Sequence, residues 1–141
     1  MKIITNSEKE TIRFSSKFAG SLKGGEVLCL VGDLGSGKTA FTKGLAKGLG
    51  VENIITSPTF VLMKNYNIAG KKAIKRVAHI DAYRLSDGGD LEAIGATNFF
   101  DDKNCVTVIE WADRVRDIWP LDAIRIEFET LGEKKRRIEI T

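Results

Sequence analysis

The sequence predicts an α/β fold in which parallel strands buried at the centre of a sheet are flanked by antiparallel ones. Three observations carry that expectation. Val27-Leu28-Cys29-Leu30-Val31 and Val106-Thr107-Val108-Ile109 are nearly unbroken apolar runs, as expected of strands covered on both faces. A glycine-rich turn and then helical spacing follow the first run directly. Near the C-terminus, Ile124, Ile126 and Phe128 alternate with charged residues, as do Ile138 and Ile140, which predicts a hairpin with one wet face.

The elements follow in order. Ser7 with Glu10 three residues on reads as a capping box. Ile12, Phe14, Phe18 and Leu22 give the helix that follows an apolar side, and Gly24-Gly25 stops it. A strand at 27–31 leads through the turn at 32–37 to a helix at Lys38–Leu49, with Phe41, Leu45 and Leu49 on one side. Ile54-Ile55 is expected as a short strand. Ser57-Pro58 then breaks the chain, because proline has no N–H to give a ladder. Phe60 to Tyr66 and Ala73 to Ile80 are expected to pair antiparallel across a turn at Asn67–Gly70. Leu91–Ile94 reads as a short helix, 106–109 as a second central strand, and Ala112–Trp119 as a helical stretch ended by Pro120. Residues 1–141 are expected to form one domain.

The bulk numbers agree. The chain has 141 residues, 43% hydrophobic and 29% charged, which suits one folded core rather than disorder. A net charge of +3 is too weak to imply nucleic-acid binding by itself. No apolar stretch is long enough to cross a bilayer, and MKIITNSEKE lacks the basic start and apolar run of a signal peptide. A cytoplasmic protein without membrane attachment, monomeric on its own, is expected. Cys29 and Cys105 form no C-x-x-C pair and read as reduced thiols.

Gly32-Asp33-Leu34-Gly35-Ser36-Gly37-Lys38-Thr39 fits G-x-x-x-x-G-K-[ST] in full, with a strand before it and a helix after it. Glycines allow positive φ and let N–H groups point inward with no Cβ in the way. Those N–H groups and the positive end of the helix make an anion nest. The expected ligand is ATP with Mg²⁺. Asp33, Leu34, Gly35, Ser36, Gly37, Lys38, Thr39 and Ala40 form the binding set, with Lys38 reaching the β- and γ-phosphates and the Thr39 hydroxyl on the metal.

A phosphate loop needs a carboxylate at a neighbouring strand end, to hold Mg²⁺ or to orient water. Asp81 follows Val77-Ala78-His79-Ile80, and Glu110 follows the 106–109 run. Both are candidate catalytic and metal residues beside Lys38 and Thr39, and sequence alone leaves open which one meets the metal. His79, the only histidine, suits a supporting or packing role. Thr59, in Ser57-Pro58-Thr59-Phe60, is the candidate for a switch hydroxyl that senses the γ-phosphate. Trp111 is placed to stack on a base, dock a partner or pack; Trp119 reads as core. Lys134-Lys135-Arg136-Arg137 could touch RNA, though such a run is more often a solvated hairpin tip. Arg84, Arg114 and Arg116 could supply transition-state charge stabilisation, but read first as surface or ion-pair residues.

GDLGSGKT, SPTF followed by VLMKNY, HIDAYRL and IEW, in this order over a short chain, resemble the TsaE family (formerly YjeE). The resemblance spans nearly the whole chain. It implies a three-layer fold of the P-loop NTPase kind, with a mostly parallel central sheet and flanking antiparallel strands. It implies an ATPase, weak alone, that serves threonylcarbamoyladenosine modification of tRNA by driving turnover of a TsaB–TsaD complex, and meets tRNA only through that complex. The family's functional residues fall on Lys38, Thr39, Thr59, Asp81, Glu110 and Trp111. Ala112-Asp113 stands where the family commonly has proline and glutamate.

The alternative is a small-molecule kinase using the same loop. Such kinases need a substrate pocket and commonly an arginine-bearing lid, and no lid-like arginine cluster follows the core strands. A GTPase is disfavoured because no N/T-K-x-D segment is present. The strand-end acids argue against a module that only binds.

Overall fold

Apolar runs and helical stripes condense here into helices on both sides of one sheet. The computed structural model describes residues 1–58, 61–70 and 72–141. The strands are β1 (Lys2–Thr5), β2 (Val27–Val31), β3 (Met63–Asn67), β4 (Arg76–Asp81), β5 (Cys105–Glu110), β6 (Ile124–Thr130) and β7 (Arg136–Ile140). The helices are α1 (Glu8–Phe18), α2 (Lys38–Leu49) and the short α3 (Gly89–Ala93). Among the described residues the sheet order is β1-β7-β6-β2-β5-β4-β3. β6, β2, β5 and β4 run parallel, while β1, β7 and β3 are antiparallel to their neighbours. The expected fold class holds: three layers, a parallel centre and antiparallel flanks.

Core residues divide by strand alternation. Leu28, Leu30, Val106 and Val108 pack with Phe41, Leu45 and Leu49 of α2 on one face. Cys29 and Ile109 pack with Leu91, Ala112 and Val115 on the other. α1 lies against α2 because α2 carries glycines at the contact. A Cβ at Gly44 would strike Ser15 and the Ile12 backbone, and one at Gly48 would strike Ser16. Ser7 caps α1 as read, its Oγ accepting from the Glu10 N–H at 3.1 Å, but the return bond of the box falls one residue upstream, Glu10 Oε2 accepting from the Asn6 N–H at 2.5 Å.

Several expectations need correction. No strand forms at Ile54-Ile55; Ile55 is buried in the core, but Ile54 is 88% exposed. β3 starts only at Met63, since Leu62 has φ 64°, off the strand conformation. Phe60 lies outside the described residues. β4 begins at Arg76 rather than Ala73. Ala112–Ile118 is a 3-10 segment kinked at Val115 (φ −132°, ψ 37°). β6 pairs with β7, as the hairpin requires, and also with β2, so it is an interior strand. β1 was not foreseen.

Candidate active site

β2 delivers the chain to the loop, and α2 carries it away. Gly35 and Gly37 take φ 76° and 107°, where a side chain would strain the backbone. Gly32 is small for a different reason: a Cβ there would lie 2.6 Å from Ser36 Oγ and 2.9 Å from the Phe128 carbonyl of β6. The Lys38 ammonium turns back onto its own loop, donating to the carbonyls of Gly32 (2.5 Å) and Asp33 (2.8 Å) and to Ser36 Oγ (3.4 Å). Lys38 is 5% exposed. Burial lowers its pKa, and the carboxylates of Glu110, Asp113, Asp33 and Asp81 pull it partly back. An anion in the cradle therefore competes with two carbonyls for this cation.

The strand-end acids are register neighbours, Asp81 of β4 opposite Glu110 of β5. Their partners differ. Glu110 Oε1 accepts from the Thr39 hydroxyl at 2.9 Å, and its Oε2 lies 2.6 Å from His79 Nε2. Asp81 instead accepts from the Ser57 hydroxyl (2.7 Å) and the Tyr83 N–H (2.9 Å). Trp111 follows Glu110 in the left-handed region at φ 58°, with its ring 4.1 Å from Lys38 Nζ and 4.9 Å from the Tyr83 ring. Half-buried, it packs against the core and still forms part of the cradle wall.

Leu34 to Ala40, Glu110 and Trp111 line one cleft of about 250 Å³, together with Glu8 and Lys43. Asp33 contributes its carbonyl to Lys38. Asp81 stands one strand further out, and Thr59 lies outside the described residues. A second cleft of about 640 Å³ shares Glu8, Gly35, Gly37 and Ala40 with the first and runs between the start of α1 and the β6–β7 turn. Arg136, expected at a solvated tip, borders it and donates to the Gly35 carbonyl at 3.0 Å. Lys134 and Lys135 are exposed as read, and Arg137 pairs with Glu129 at 2.6 Å. Of the other arginines, Arg114 lies 5.4 Å from the Trp111 ring and Arg116 4.9 Å from the Trp119 ring. Sequence reasoning missed Ser57, Glu8, Lys43 and Arg136. Ser57 had a signal, its place beside Pro58; Arg136 had none, because it acts across 101 residues.

The protein-family description "Threonylcarbamoyl adenosine biosynthesis protein TsaE" matches residues 5–138. The Bacillus subtilis tRNA threonylcarbamoyladenosine biosynthesis protein TsaE is 36% identical over 141 residues, covering 100% of this chain and 85% of that protein. The Aquifex aeolicus protein of the same name is 40% identical over 141 residues, covering 99% and 94%. The crystal structure of Bacillus subtilis YdiB aligns with a TM-score of 0.79 at 32% identity, covering 98% of this chain and 82% of that one. Likeness at this level, along nearly the full chain, bears out the resemblance carried by the motifs: the chain belongs to the TsaE family.

Proposed function

We propose that this protein binds ATP with Mg²⁺ and hydrolyses it in the service of threonylcarbamoyladenosine biosynthesis on tRNA. The observation that carries the reading is the 2.9 Å bond from Thr39, at the start of α2, to Glu110, at the end of β5, on the wall of the phosphate cradle. It joins a hydroxyl and a carboxylate 71 residues apart in the sequence, where a triphosphate's metal belongs. Both donors are hard oxygens, which suits Mg²⁺, an ion that takes one or two protein oxygens and fills its octahedron with phosphate and water. Thr39 and Glu110 are the residues that would hold it. When bound, the ion neutralises charge on the β- and γ-phosphate oxygens.

The chain's own groups do the rest. Loop N–H groups and Lys38 hold the phosphates. The cleft beyond Gly37 and Ala40 has room for the nucleoside. Asp81, one strand over, orients the attacking water. Water oxygen bonds to the γ-phosphorus and its proton passes to a γ-phosphate oxygen, the bond to the bridging oxygen breaks with its electron pair going to ADP, and ADP and phosphate leave. Thr59 is the proposed γ-phosphate sensor. The partners are the TsaB–TsaD pair, through which tRNA is met, and the setting is the cytoplasm.

The test is phosphate release from Mg·ATP, alone and with purified TsaB–TsaD. Slow turnover alone, stimulation by the pair, and loss of both in Lys38→Ala and Glu110→Ala is the expected result. Stimulated turnover that survives Lys38→Ala would remove the reading. Label passing to an added metabolite rather than to water would replace it with a kinase.

A further inference from the structure

His79 sits in the middle of β4 at 0% exposure. By strand register it lies beside Val108 of β5, and by alternation on the same face as Val77 and Asp81. An ionised carboxylate only accepts, so the 2.6 Å contact with Glu110 Oε2 puts the proton on His79 Nε2. The other ring nitrogen is then an acceptor, and Nδ1 is buried with no hydrogen-bond partner among the described residues. A buried polar atom left unpaired costs free energy that a leucine or valine at this position would avoid. Packing therefore does not call for an imidazole here. What the imidazole supplies is one donor, and that donor goes to Glu110.

Glu110 is 3% exposed, and both of its oxygens are used: Oε2 by His79, Oε1 by the Thr39 hydroxyl. With Oε2 anchored, Oε1 keeps its place as acceptor for the Thr39 proton. The hydroxyl, donating its O–H to Glu110, turns its lone pairs away from Glu110. Groups that fix a metal ligand in this way act through orientation rather than contact.

We infer that His79 is a positioning residue: its Nε2–H locks Glu110, and through Glu110 the Thr39 hydroxyl, in the arrangement that receives Mg²⁺ beside the phosphates. The inference rests on the nucleotide reading above. It assigns His79 to the coupling between metal and nucleotide, and not to phosphate binding as such.

Titration calorimetry on the full chain separates these. ADP affinity is measured in EDTA and again in excess Mg²⁺, and the ratio of the two is the readout. His79→Leu fills the site without a donor, His79→Asn keeps polarity but cannot reach Glu110, and His79→Gln places an amide N–H near the Nε2 position. Loss of an orienting partner commonly weakens a metal site by about 10–100-fold. The Mg²⁺ enhancement is therefore expected to fall by about tenfold or more in the Leu and Asn variants, with EDTA affinity within about twofold of the parent. His79→Gln should keep most of the enhancement. An unchanged ratio in the variants lacking the donor overturns the inference. So does equal weakening with and without Mg²⁺, which marks a packing role, or a Gln variant no better than Asn. If His79→Leu does not fold, the Asn and Gln pair decides. Absence of ADP binding in the parent chain would instead overturn the nucleotide reading itself.

Discussion

Glu110 and Asp81 end adjacent parallel strands in direct register, yet they belong to different parts of the molecule. Glu110 is tied to scaffold: the first turn of α2 and a ring buried in β4. Asp81 is tied to the chain leading into Pro58, through a serine whose side of the loop faces solvent. An acid held by two packed elements keeps its surroundings; one shared with a surface loop changes them whenever that loop moves. The pair shows how the carboxyl ends of two neighbouring strands can offer, side by side, one carboxylate held by packed elements and one shared with an exposed loop.

The comparison can be broken most directly at Glu110. Glu110→Ala is expected to cut partner-stimulated turnover on the order of 1000-fold, and Asp81→Ala about 100-fold, measured as steady-state phosphate release. The reverse ranking would exchange their roles. The scaffold side can be tested through packing. Gly44→Val drives a side chain into Ser15 and the Ile12 backbone. It should destabilise the fold by about 2–3 kcal/mol in urea unfolding, while a small change would mean that α1 yields. The loop side should respond to Ser57→Ala with a loss of about tenfold or less in turnover, the equivalent of one hydrogen bond to a carboxylate. ADP affinity should stay unchanged, since Ser57 does not line the phosphate cleft. A drop in ADP affinity would place the loop inside the phosphate site.

The smallest effect concerns pH. Burial holds the Lys38 pKa below that of an exposed lysine. The protonated form attracts phosphate, so nucleotide affinity should be fullest below that lowered value and fall as pH rises through it. The alkaline limb, followed by titration in Mg-free buffer, should therefore begin before an ordinary lysine deprotonates. A limb at the ordinary position would show that the carboxylates around Lys38 cancel the cost of burial.

Much of this was legible locally. The phosphate loop, β2 and α2 form one contiguous stretch whose apolar spacing agrees with its elements, and Ser7 with Glu10 announced α1; Gly44 and Gly48 inside α2 go against helix propensity and make sense only from the α1 contact. β1 was not legible: four residues with a single buried side chain, Thr5, become a strand because the free edge of β7 is there to receive them. Ile54-Ile55 shows the converse, an apolar pair with no ladder to join. The 3-10 stretch after Trp111 read as helical because its spacing cannot reveal the kink at Val115. At the site, the residue types were readable but their pairings were not. Nothing near Glu110 in sequence says that Thr39 and His79, 71 and 31 residues away, share its two oxygens.

The lean of β6 and β7 on the phosphate loop has a consequence for synthesis on the ribosome. The Phe128 carbonyl presses on Gly32, and Arg136 grips the Gly35 carbonyl. Both contacts come from chain made roughly a hundred residues after the loop they shape. A nascent chain carrying the whole GDLGSGKT stretch still lacks the Phe128 contact until β6 has left the exit tunnel, and the Arg136 contact until β7 has. The cradle is completed well after its motif is translated, so ATP in the surrounding fluid meets a fully formed site only once β6 and β7 lie against the loop.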